Sequence, residues 1–502
     1  MKTEIVGGSE KNVWSSMLFI TAFLILGWRI MDRIWLKPKK KERMLKQQGF
    51  KGNPYTLTRL LFGDVKENSV EYAEALRKTI NVHDEAVPRV MPFVHKTIEK
   101  YGKMSFMWVG PRPRVLIMDP ELMKTVMSKY NIFKKNFKVT NNIVQTLISG
   151  ILNQEGEEWS KNRKTQNPIF QLEKIKQMIP AFQLSCDEIV NKWKIMVSSS
   201  KDGSCVVDVM SHIEILTTKV VSRTLFATDY AQDKRIYEIL KELTAIARQT
   251  TRIVDLPGAK YVIALTLSLY IYNDVCTLTT IVHYFQNDEN GEAHGIKNMD
   301  DLIGNVQLFY FAGHETTTAM LVWTMILLSI HQNWQERARQ EVFQVFGDRK
   351  PDYEGLSQLK ITTMIFNEVL RLYPPIVELS RLVEEETKLG QYTIPADTLL
   401  MLPIIILHRD TELWGEDANE FKPERFAEGV LKATNGRLAF FPFGSGPRVC
   451  IGQNYSLLEA KLVLANILSN FCFELAPTYT HAPYVIFTVQ PQYGAPLILR
   501  KI

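Results

Sequence analysis

The feature that most constrains the fold of this chain is a long helical segment without proline. It runs from Asp301 to Ile330 and reads DLIGNVQLFYFAGHETTTAMLVWTMILLSI. At 1.5 Å per residue, such a helix spans roughly 45 Å. Apolar residues surround it on all sides, which predicts that it runs through the middle of a large domain. A membrane span is the alternative, but Asp301, His314 and Glu315, together with the polar helix that follows, favour a buried core helix.

The rest of the chain predicts an α+β fold that is mainly helical. With 502 residues, 46% of them hydrophobic and 23% charged, the composition is that of a globular protein. The segment KMSFMWVGPRPRVLIMDPELMKTVM predicts a strand, a Gly-Pro turn, a second strand and a helix opened by Asp119 and Pro120. From Trp159 to Arg248 the pattern is helical. A small β-rich region beside many helices indicates one large domain or two closely merged ones.

The N-terminal stretch VWSSMLFITAFLILGW, residues 13–28, carries no charge and predicts a transmembrane helix. Seven basic residues follow it up to Arg43 and two precede it, so the positive-inside bias places the bulk of the protein in the cytosol. A cleaved signal peptide is the alternative, but its small-residue cleavage pattern is missing. We therefore expect a single-pass anchor with a basic flank over residues 1–36, in the endoplasmic reticulum membrane, and the main domain over residues 37–502. The glycine and proline break GFKGNPY is expected to be a linker.

Charge and cysteine content exclude several classes of function. The net charge of +6 is diffuse, and no basic stripe with interleaved aromatic residues indicates a nucleic-acid surface. The five cysteines include no C-x-x-C pair, which argues against a disulfide framework or a zinc site and agrees with a reducing compartment. Four of them are interpreted as small buried hydrophobic residues. The fifth, Cys450, has a different setting.

Cys450 ends the loop FPFGSGPRVC and precedes the amphipathic stretch IGQNYSLLEAKLVLANILSNF. Three glycines, Gly444, Gly446 and Gly452, allow a tight backbone path, and two prolines stiffen it. A thiol at a helix N-terminus, near amide groups and the helix dipole, is favoured as the thiolate. Such a thiolate suits either a nucleophile with a nearby histidine base or an iron ligand.

Two polar clusters lie in otherwise apolar helices. In AGHETTT, Glu315 stands beside Thr316, and the threonine hydroxyls can bond carbonyl groups one turn back and open the helix locally. A carboxylate in an apolar helix costs free energy, which favours a functional role for Glu315. The alternative is a structural role, in which the threonines bend the helix and the glutamate is paired. In NEVLRLYPP, Glu368 and Arg371 share one helix face, and their apolar surroundings predict a buried pair. Arg425 of FKPERF is the further partner that such a pair needs.

Together these motifs resemble those of the cytochromes P450. FGSGPRVCIG is similar to the haem-binding signature F-x-x-G-x-R-x-C-x-G of that family, and AGHETT to its oxygen-activation helix. Glu368-x-x-Arg371 and PERF resemble its Glu-Arg-Arg triad, and EEWSKNRK its W-x-x-x-R motif, with Trp159 and Arg163. The motifs come in the family's order and cover nearly the whole chain. The resemblance is strongest to the plant group that contains secologanin synthase and triterpenoid oxidases.

The resemblance implies the cytochrome P450 fold, with the long central helix over the haem, and a monooxygenase that uses haem b. It implies that Cys450 is the axial ligand of the iron, that Glu315 and Thr316 are catalytic and relay protons to oxygen, and that the Glu-Arg-Arg triad is structural. The other cofactor-binding residues would shield the sulfur, shape the loop or pair with the haem propionates. They are Arg448, Phe443, Gly444, Trp159, Arg163 and Arg381.

The partners that the resemblance implies are NADPH-cytochrome P450 reductase, O2 and a hydrophobic small molecule, which for this plant group is a terpenoid. No Gly-rich dinucleotide loop is present in the sequence, so the electrons would come from the separate reductase. Residues 309–313, 376–379 and 484–487 are expected to line an apolar pocket. In the second of these segments, Glu378 either binds a substrate hydroxyl or faces outward.

One segment departs from the family's pattern. Residues 261–286, YVIALTLSLYIYNDVCTLTTIVHYFQ, are apolar and β-branched where the family has charged amphipathic helices. This segment is expected to form the roof of the pocket, and its unusual sequence leaves two other functions as alternatives. A haem-thiolate isomerase or dehydratase needs no O2 and usually lacks the pair that Glu315 and Thr316 form. The other is a protein without catalytic activity that only binds haem or lipid, and such a protein is not expected to retain a proton relay.

Overall fold

The computed structural model describes residues 6–56, 58–59, 63–135, 150–228, 238 and 299–502. Their α-helices are α1 (Val6–Met31), α2 (Lys37–Gln47), α3 (Val65–Arg77), α4 (Val87–Val90), α5 (Pro92–Tyr101), α6 (Pro120–Ser128), α7 (Gly156–Gln166), α8 (Leu172–Ser198), α9 (Val209–Leu225), α10 (Met299–Ile330), α11 (Gln332–Phe346), α12 (Tyr353–Gln358), α13 (Lys360–Leu372), α14 (Ile404–Leu407), α15 (Thr411–Trp414), α16 (Val430–Ala433) and α17 (Gln453–Leu468). Their strands are β1 (Lys51–Gly52), β2 (Ser105–Val109), β3 (Arg112–Leu116), β4 (Phe133–Lys134), β5 (Ser204–Asp208), β6 (Leu379–Val383), β7 (Thr387–Leu389), β8 (Tyr392–Ile394), β9 (Thr398–Leu402), β10 (Phe471–Leu475), β11 (Pro483–Val485), β12 (Val489–Pro491) and β13 (Pro496–Lys501). The described chain is thus mainly helical with small sheets, as the sequence predicts.

The central helix α10 runs through the core. It packs against α9, α13, α17 and β10, and Trp323, Met325 and Ile326 on it are fully buried. The prediction of a buried core helix is therefore right. The helix is continuous through AGHETTT, so the expected local opening is wrong. The Thr316 hydroxyl donates to the carbonyl of Ala312 at 2.8 Å, and the helix accommodates this extra bond without breaking.

The largest sheet has six strands in the order β1-β2-β3-β9-β6-β4. Strands β2 and β3 are antiparallel, and α6 follows them with the Asp119 carboxylate accepting the amide of Leu122 at 2.8 Å. This confirms the predicted strand, turn, strand and helix. The predicted linker GFKGNPY is wrong, because Lys51–Gly52 forms β1 and pairs in parallel with β2. A two-residue strand whose partner lies far along the chain leaves no local pattern in the sequence.

The helical region predicted from Trp159 consists of α7, α8 and α9, with the unpredicted strand β5 between the last two. Strand β5 pairs antiparallel with β13, which also pairs with β10 near the C-terminus. The short strand was missed because its partner lies almost at the end of the chain. Residues 229–237 and 239–248 of the predicted helical region lie outside the described residues.

The N-terminal helices α1 and α2 are joined by a π-helical turn, Asp32–Leu36, so the helical run crosses the expected boundary between residues 36 and 37. The apolar side chains of α1, such as Phe19 and Trp28, are exposed. Within the part of the chain that the structure describes, no helix has the length and apolarity needed to cross a membrane. Helix α2 contacts the residue directly before strand β9, because the Lys41 ammonium group donates to the carbonyl of Asp397 at 3.0 Å.

Candidate cofactor site

The cysteine loop is held in shape by hydrogen bonds within its own backbone. The amide of Gly444 donates to the carbonyl of Phe441 at 3.0 Å, and the amide of Cys450 donates to the carbonyl of Phe443 at 3.0 Å. The Phe443 ring packs against the main hydrophobic core. The loop therefore presents Cys450 from a defined backbone position.

Gly446 lets this loop approach the end of helix α6. Its φ angle is +70°, and a Cβ atom placed there would lie 2.8 Å from the carbonyl oxygen of Met127. Both the left-handed conformation and the close backbone contact favour glycine at this position. The sequence pattern of glycines correctly indicated a tight loop.

The thiol of Cys450 lies just before helix α17, which begins at Gln453. Cys450 keeps an exposed surface, although many protein atoms surround it, and their desolvation of the sulfur raises the pKa of the thiol. The amide of Gly452 and the cations of Arg163 and Lys135 lower this pKa, but they do not outweigh desolvation. The expectation that the loop alone favours the thiolate is therefore wrong, because the cost of desolvating the charge exceeds the stabilisation at the helix end. A bound metal cation reverses such a balance.

A cluster of cations surrounds the loop on the side of helix α7. Arg163 donates from Nη2 to the carbonyl of Val449 at 2.9 Å, directly before Cys450. Arg448 donates from Nη2 to the Glu155 carboxylate at 2.7 Å. Arg163 thus contacts the cysteine loop, and Arg448, which belongs to the loop, pairs with Glu155 outside it.

Arg381 and Lys135 complete this cation cluster. Burial, reinforced by Arg448, lowers the pKa of Arg381 to about 10. Burial and the neighbouring Arg381 and Arg448 lower the pKa of Lys135 well below its ordinary value, and Glu155 opposes this shift. The sequence analysis missed Lys135, since no motif marks it. Its role depends on the arginines that the fold places beside it.

Three donor nitrogens of the cluster are buried without a hydrogen-bond partner among the described residues: Nε of Arg381, and Nε and Nη1 of Arg448. Unpaired guanidinium donors at a buried position cost free energy until an anion reaches them. The two propionates of a haem are carboxylates, which a guanidinium group binds well. The chemistry of these donors therefore fits a cofactor that carries carboxylates, as haem does.

Trp159 supports the cluster from helix α7. The guanidinium carbon of Arg448 lies 4.3 Å from the centroid of the Trp159 ring, and the Tyr130 ring packs on Trp159 at 4.7 Å. A cation over the face of an indole ring is stabilised by the ring's negative face. Trp159 thus holds Arg448 in place, in addition to the predicted contact with a propionate.

On the central helix, Glu315 faces the C-terminal hairpin of β11 and β12. Its Oε1 atom accepts hydrogen bonds from Thr488 Oγ1 at 2.9 Å and from Gln490 Nε2 at 2.6 Å. Thr316, the next residue, donates to the carbonyl of Ala312. Sequence reasoning identified Glu315 and Thr316, but Thr488 and Gln490 carry no signal that could have found them.

The structure brings Glu368, Arg371 and Arg425 together. The contact of the first two was predicted from their spacing of three residues on a helix. Arg371 donates from Nε and Nη2 to the two oxygens of Glu368, each at 2.7 Å, and both residues are fully buried. Arg425 Nε lies 3.6 Å from Glu368 Oε1 and Nη1 donates to Asp417 at 2.8 Å. Arg371 also donates to the carbonyls of His408 and Glu420, so this set ties helix α13 to the segment before the cysteine loop.

Two of the three segments expected to line a pocket are in contact. The rings of Phe311 and Phe487 pack edge to face with centroids 5.2 Å apart, which joins the first and third segments. In the second segment, Glu378 is half-buried and forms an ion pair with Arg114 of β3. The structure therefore gives the Glu378 carboxylate a partner within the protein. The divergent residues 261–286 lie outside the described residues.

Comparison with known families gives a consistent result. The sequence profile described as Cytochrome P450 matches residues 88–276 and 273–490. The two matched ranges overlap within the divergent segment. Together they cover well over half of the chain.

Individual relatives are similar over almost their full length. The chain is 46% identical to the 7-deoxyloganic acid hydroxylase of Catharanthus roseus, over 98% of this chain and 100% of that protein. It is 45% identical to the Cytochrome P450 CYP72A219 of Panax ginseng, over 97% and 98%, and 43% identical to the Secologanin synthase 2 of Catharanthus roseus, over 95% and 94%. A solved structure of retinoic acid bound cyanobacterial CYP120A1 is similar with a TM-score of 0.69 and 22% identity, covering 82% of this chain and 94% of that one. This last likeness concerns the fold alone.

Proposed function

The chain belongs to the cytochrome P450 family, and one of the relatives above is a named hydroxylase, so it is a monooxygenase; we propose that it oxidises a terpenoid with a haem held by Cys450. The observation that carries this proposal is the cation cluster of Arg163, Arg381 and Arg448 beside the Cys450 loop, with its unpaired buried donors. Buried guanidinium donors without partners among the described residues suit the carboxylates of such a cofactor.

Haem, when bound, supplies the binding and activation of O2 that hydroxylation requires. Cys450 would hold the haem iron through its sulfur, and the hydrogen bond from its backbone amide to the Phe443 carbonyl fixes the backbone that carries the sulfur. Arg381 and Arg448 would donate to the propionates through their unpaired nitrogens. Arg163 links the Val449 carbonyl to helix α7 and would fix the loop beside the cofactor.

Glu315 and Thr316 would hold and move protons on the central helix. Both lie in the AGHETT segment, with the Glu315 carboxylate directed to Thr488 and Gln490. The Thr316 hydroxyl already donates to Ala312, so its oxygen can accept a hydrogen bond from a further group. This pair argues for an O2-dependent reaction and against an isomerase or dehydratase.

The substrate class is proposed from the relatives and from the pocket residues. The names of two relatives refer to 7-deoxyloganic acid and to secologanin. In this chain, the aromatic contact of Phe311 with Phe487 supplies the apolar wall that a terpenoid skeleton needs. A terpenoid is therefore the substrate class that these observations favour.

We further propose that the protein lies on the endoplasmic reticulum membrane, held by its N-terminus, and receives electrons from NADPH-cytochrome P450 reductase. The exposed apolar side chains of α1 and the basic residues after it support the anchor. Lys161 and Lys164 are exposed on helix α7, which also carries Trp159 and Arg163. They offer a basic surface for an acidic docking partner near the cysteine loop.

The test is the reduced, CO-bound difference spectrum of the full chain in microsomes, followed by turnover of a terpenoid panel with reductase, NADPH and O2. We expect the red-shifted band that is typical of thiolate-ligated haem, and product that requires both NADPH and O2. Cys450→Ser is expected to abolish this band, while Cys186→Ser, at a buried cysteine far along the chain from the loop, keeps it. A protein that binds haem without the band, or product formed without O2, would contradict the proposal.

A further inference from the structure

We propose that Thr488 and Gln490 are positioning residues that aim the Glu315 carboxylate from the C-terminal hairpin. This inference rests on the proposed monooxygenase function, because it assigns Glu315 to proton transfer. Its new element is the hairpin, which thereby becomes part of the proton-transfer apparatus in addition to lining the pocket.

Three side chains form the contact on which the inference stands. Glu315 Oε1 accepts from Thr488 Oγ1 at 2.9 Å and from Gln490 Nε2 at 2.6 Å, and Gln490 Nε2 also lies 3.2 Å from Thr488 Oγ1. Their exposed fractions are 7% for Glu315, 2% for Thr488 and 5% for Gln490. Two donors on one oxygen restrict the rotamers of a long side chain. Hydrogen bonds to a carboxylate are stronger than those between neutral groups.

The hairpin is itself fastened to the core, so it can serve as a fixed reference. The indole of Trp323 on the central helix donates to the carbonyl of Val489 at 2.9 Å. The amide of Val489 donates to the carbonyl of Pro375 at 3.1 Å, directly after helix α13. In the other strand, the amide of Val485 donates to the Tyr72 hydroxyl at 2.8 Å. Thr488 and Gln490 flank Val489 and share its attachment.

The hairpin also joins the carboxylate to the pocket wall. Phe487 precedes Thr488 and packs on Phe311, which lies one helical turn before Glu315. A substrate that contacts Phe487 therefore lies next to the segment that holds Glu315. The geometry thus makes these two donors contributors to the position of the carboxylate.

The test measures what fraction of the electrons from NADPH ends in hydroxylated product and what fraction ends in H2O2. Two electrons and two protons either place one atom of O2 in the product and the other in water, or they leave with O2 as H2O2. Loss of a general acid or base costs about a hundredfold or more in rate, and a carboxylate that is present but misaimed costs less. For Thr488→Val and Gln490→Leu we expect product per NADPH to fall by roughly tenfold, with a matching rise in H2O2.

Matched variants separate positioning from general damage. Thr488→Ser keeps the hydroxyl and is expected to restore coupling to near the wild-type value. Thr324→Val removes a fully buried hydroxyl that lies on the central helix and donates to the Met320 carbonyl at 2.7 Å, and it is expected to leave coupling unchanged. Unchanged coupling in Thr488→Val and Gln490→Leu, or an equal loss in Thr324→Val, would overturn the positioning role.

A second readout does not depend on turnover. In a double-mutant cycle of Glu315→Leu with Gln490→Leu, the two shifts in midpoint unfolding temperature are expected to be non-additive, because each variant removes the same hydrogen bond. Additive shifts would overturn the contact. If the cycle is non-additive but the wild-type protein shows no turnover, the contact stands while the proposed function, and with it the catalytic meaning of the contact, is overturned.

Discussion

Two buried glutamates show, at the scale of single residues, how surroundings decide the state of a carboxyl group. Glu368 is fully buried, bonds Arg371 through both oxygens and accepts the amide of Lys422 at 2.8 Å. Glu459 on α17 is also fully buried, but neither oxygen has a hydrogen-bond partner within the described part of the chain. Burial raises the pKa of Glu459 well above its ordinary value. The folded protein therefore holds Glu459 in its neutral form.

Glu459→Gln is predicted to make stability less dependent on pH. The unfolded chain releases this proton as pH rises past the ordinary value of 4.5, whereas the folded protein keeps it, so wild-type stability falls with rising pH up to the folded pKa. In scanning calorimetry over a pH series that starts near 4.5, the midpoint temperature of the variant relative to wild type should therefore increase as pH rises. A difference that stays constant with pH would contradict this prediction.

Glu368→Gln is the matched control at the other fully buried glutamate. It leaves the buried Arg371 without its charge partner, and breaking a buried pair costs about 3–5 kcal/mol. We expect the midpoint unfolding temperature of this variant to lie below that of the wild type at both the low and the high end of the same pH series.

At the scale of elements, helices α9 and α10 cross at close range. A Cβ atom on Gly313 of α10 would lie 2.8 Å from Val221 Cγ2 of α9. Hydroxyl pairs bridge the same two helices, Thr217 with Thr318 at 2.7 Å and Ser222 with Tyr310 at 2.8 Å. Gly313 thus permits the close packing that orients the AGHETT segment.

Gly313→Ala is predicted to lower stability despite the better helix propensity of alanine. The propensity gain is about 1 kcal/mol, whereas overpacking of a buried contact costs about 1–3 kcal/mol and a β-branched neighbour has little freedom to move. In a cycle with Val221→Ala, measured by denaturant unfolding, the double variant should be more stable than the sum of the single effects predicts. Additive effects would show that Val221 does not restrict this position.

At the scale of the whole molecule, the N-terminal helices divide between an exposed part and a part built into the fold. The described apolar side chains of α1, such as Phe19 and Trp28, are exposed. On α2, Leu45 is fully buried and Lys41 contacts Asp397, while Gln48 at its end donates to the carbonyl of Thr393 at 2.8 Å. Helix α2 therefore belongs to the main domain, and the helical run connects it to α1.

Two truncations are predicted to differ. Deletion of residues 1–31 removes α1 and should move the protein from the membrane pellet to the supernatant, with the CO-bound spectrum retained. Deletion of residues 1–47 also removes α2 and exposes the surface that Leu45 covers, which should lower the midpoint unfolding temperature by several degrees. Equal stability of the two truncated proteins would contradict a structural role for α2.

The sequence by itself determined the elements whose causes are local. The central helix, the strands β2 and β3 with helix α6, and the tight cysteine loop follow from hydrophobic periodicity, a cap at Asp119 and glycines such as Gly446. The pairing of Glu368 with Arg371 was also accessible, because residues three apart on a helix are neighbours.

Only the tertiary structure decided what depends on distant partners. Strands β1 and β5 form because of strands far along the chain, and Lys135 joins the cation cluster only once β6 and the cysteine loop are in place. Glu315 finds Thr488 and Gln490 across 173 and 175 residues of sequence. The direction of the Cys450 pKa shift depends on desolvation by surrounding atoms. Long-range contacts and burial leave no periodic trace in a sequence, because they arise from packing that the chain reaches only when folded.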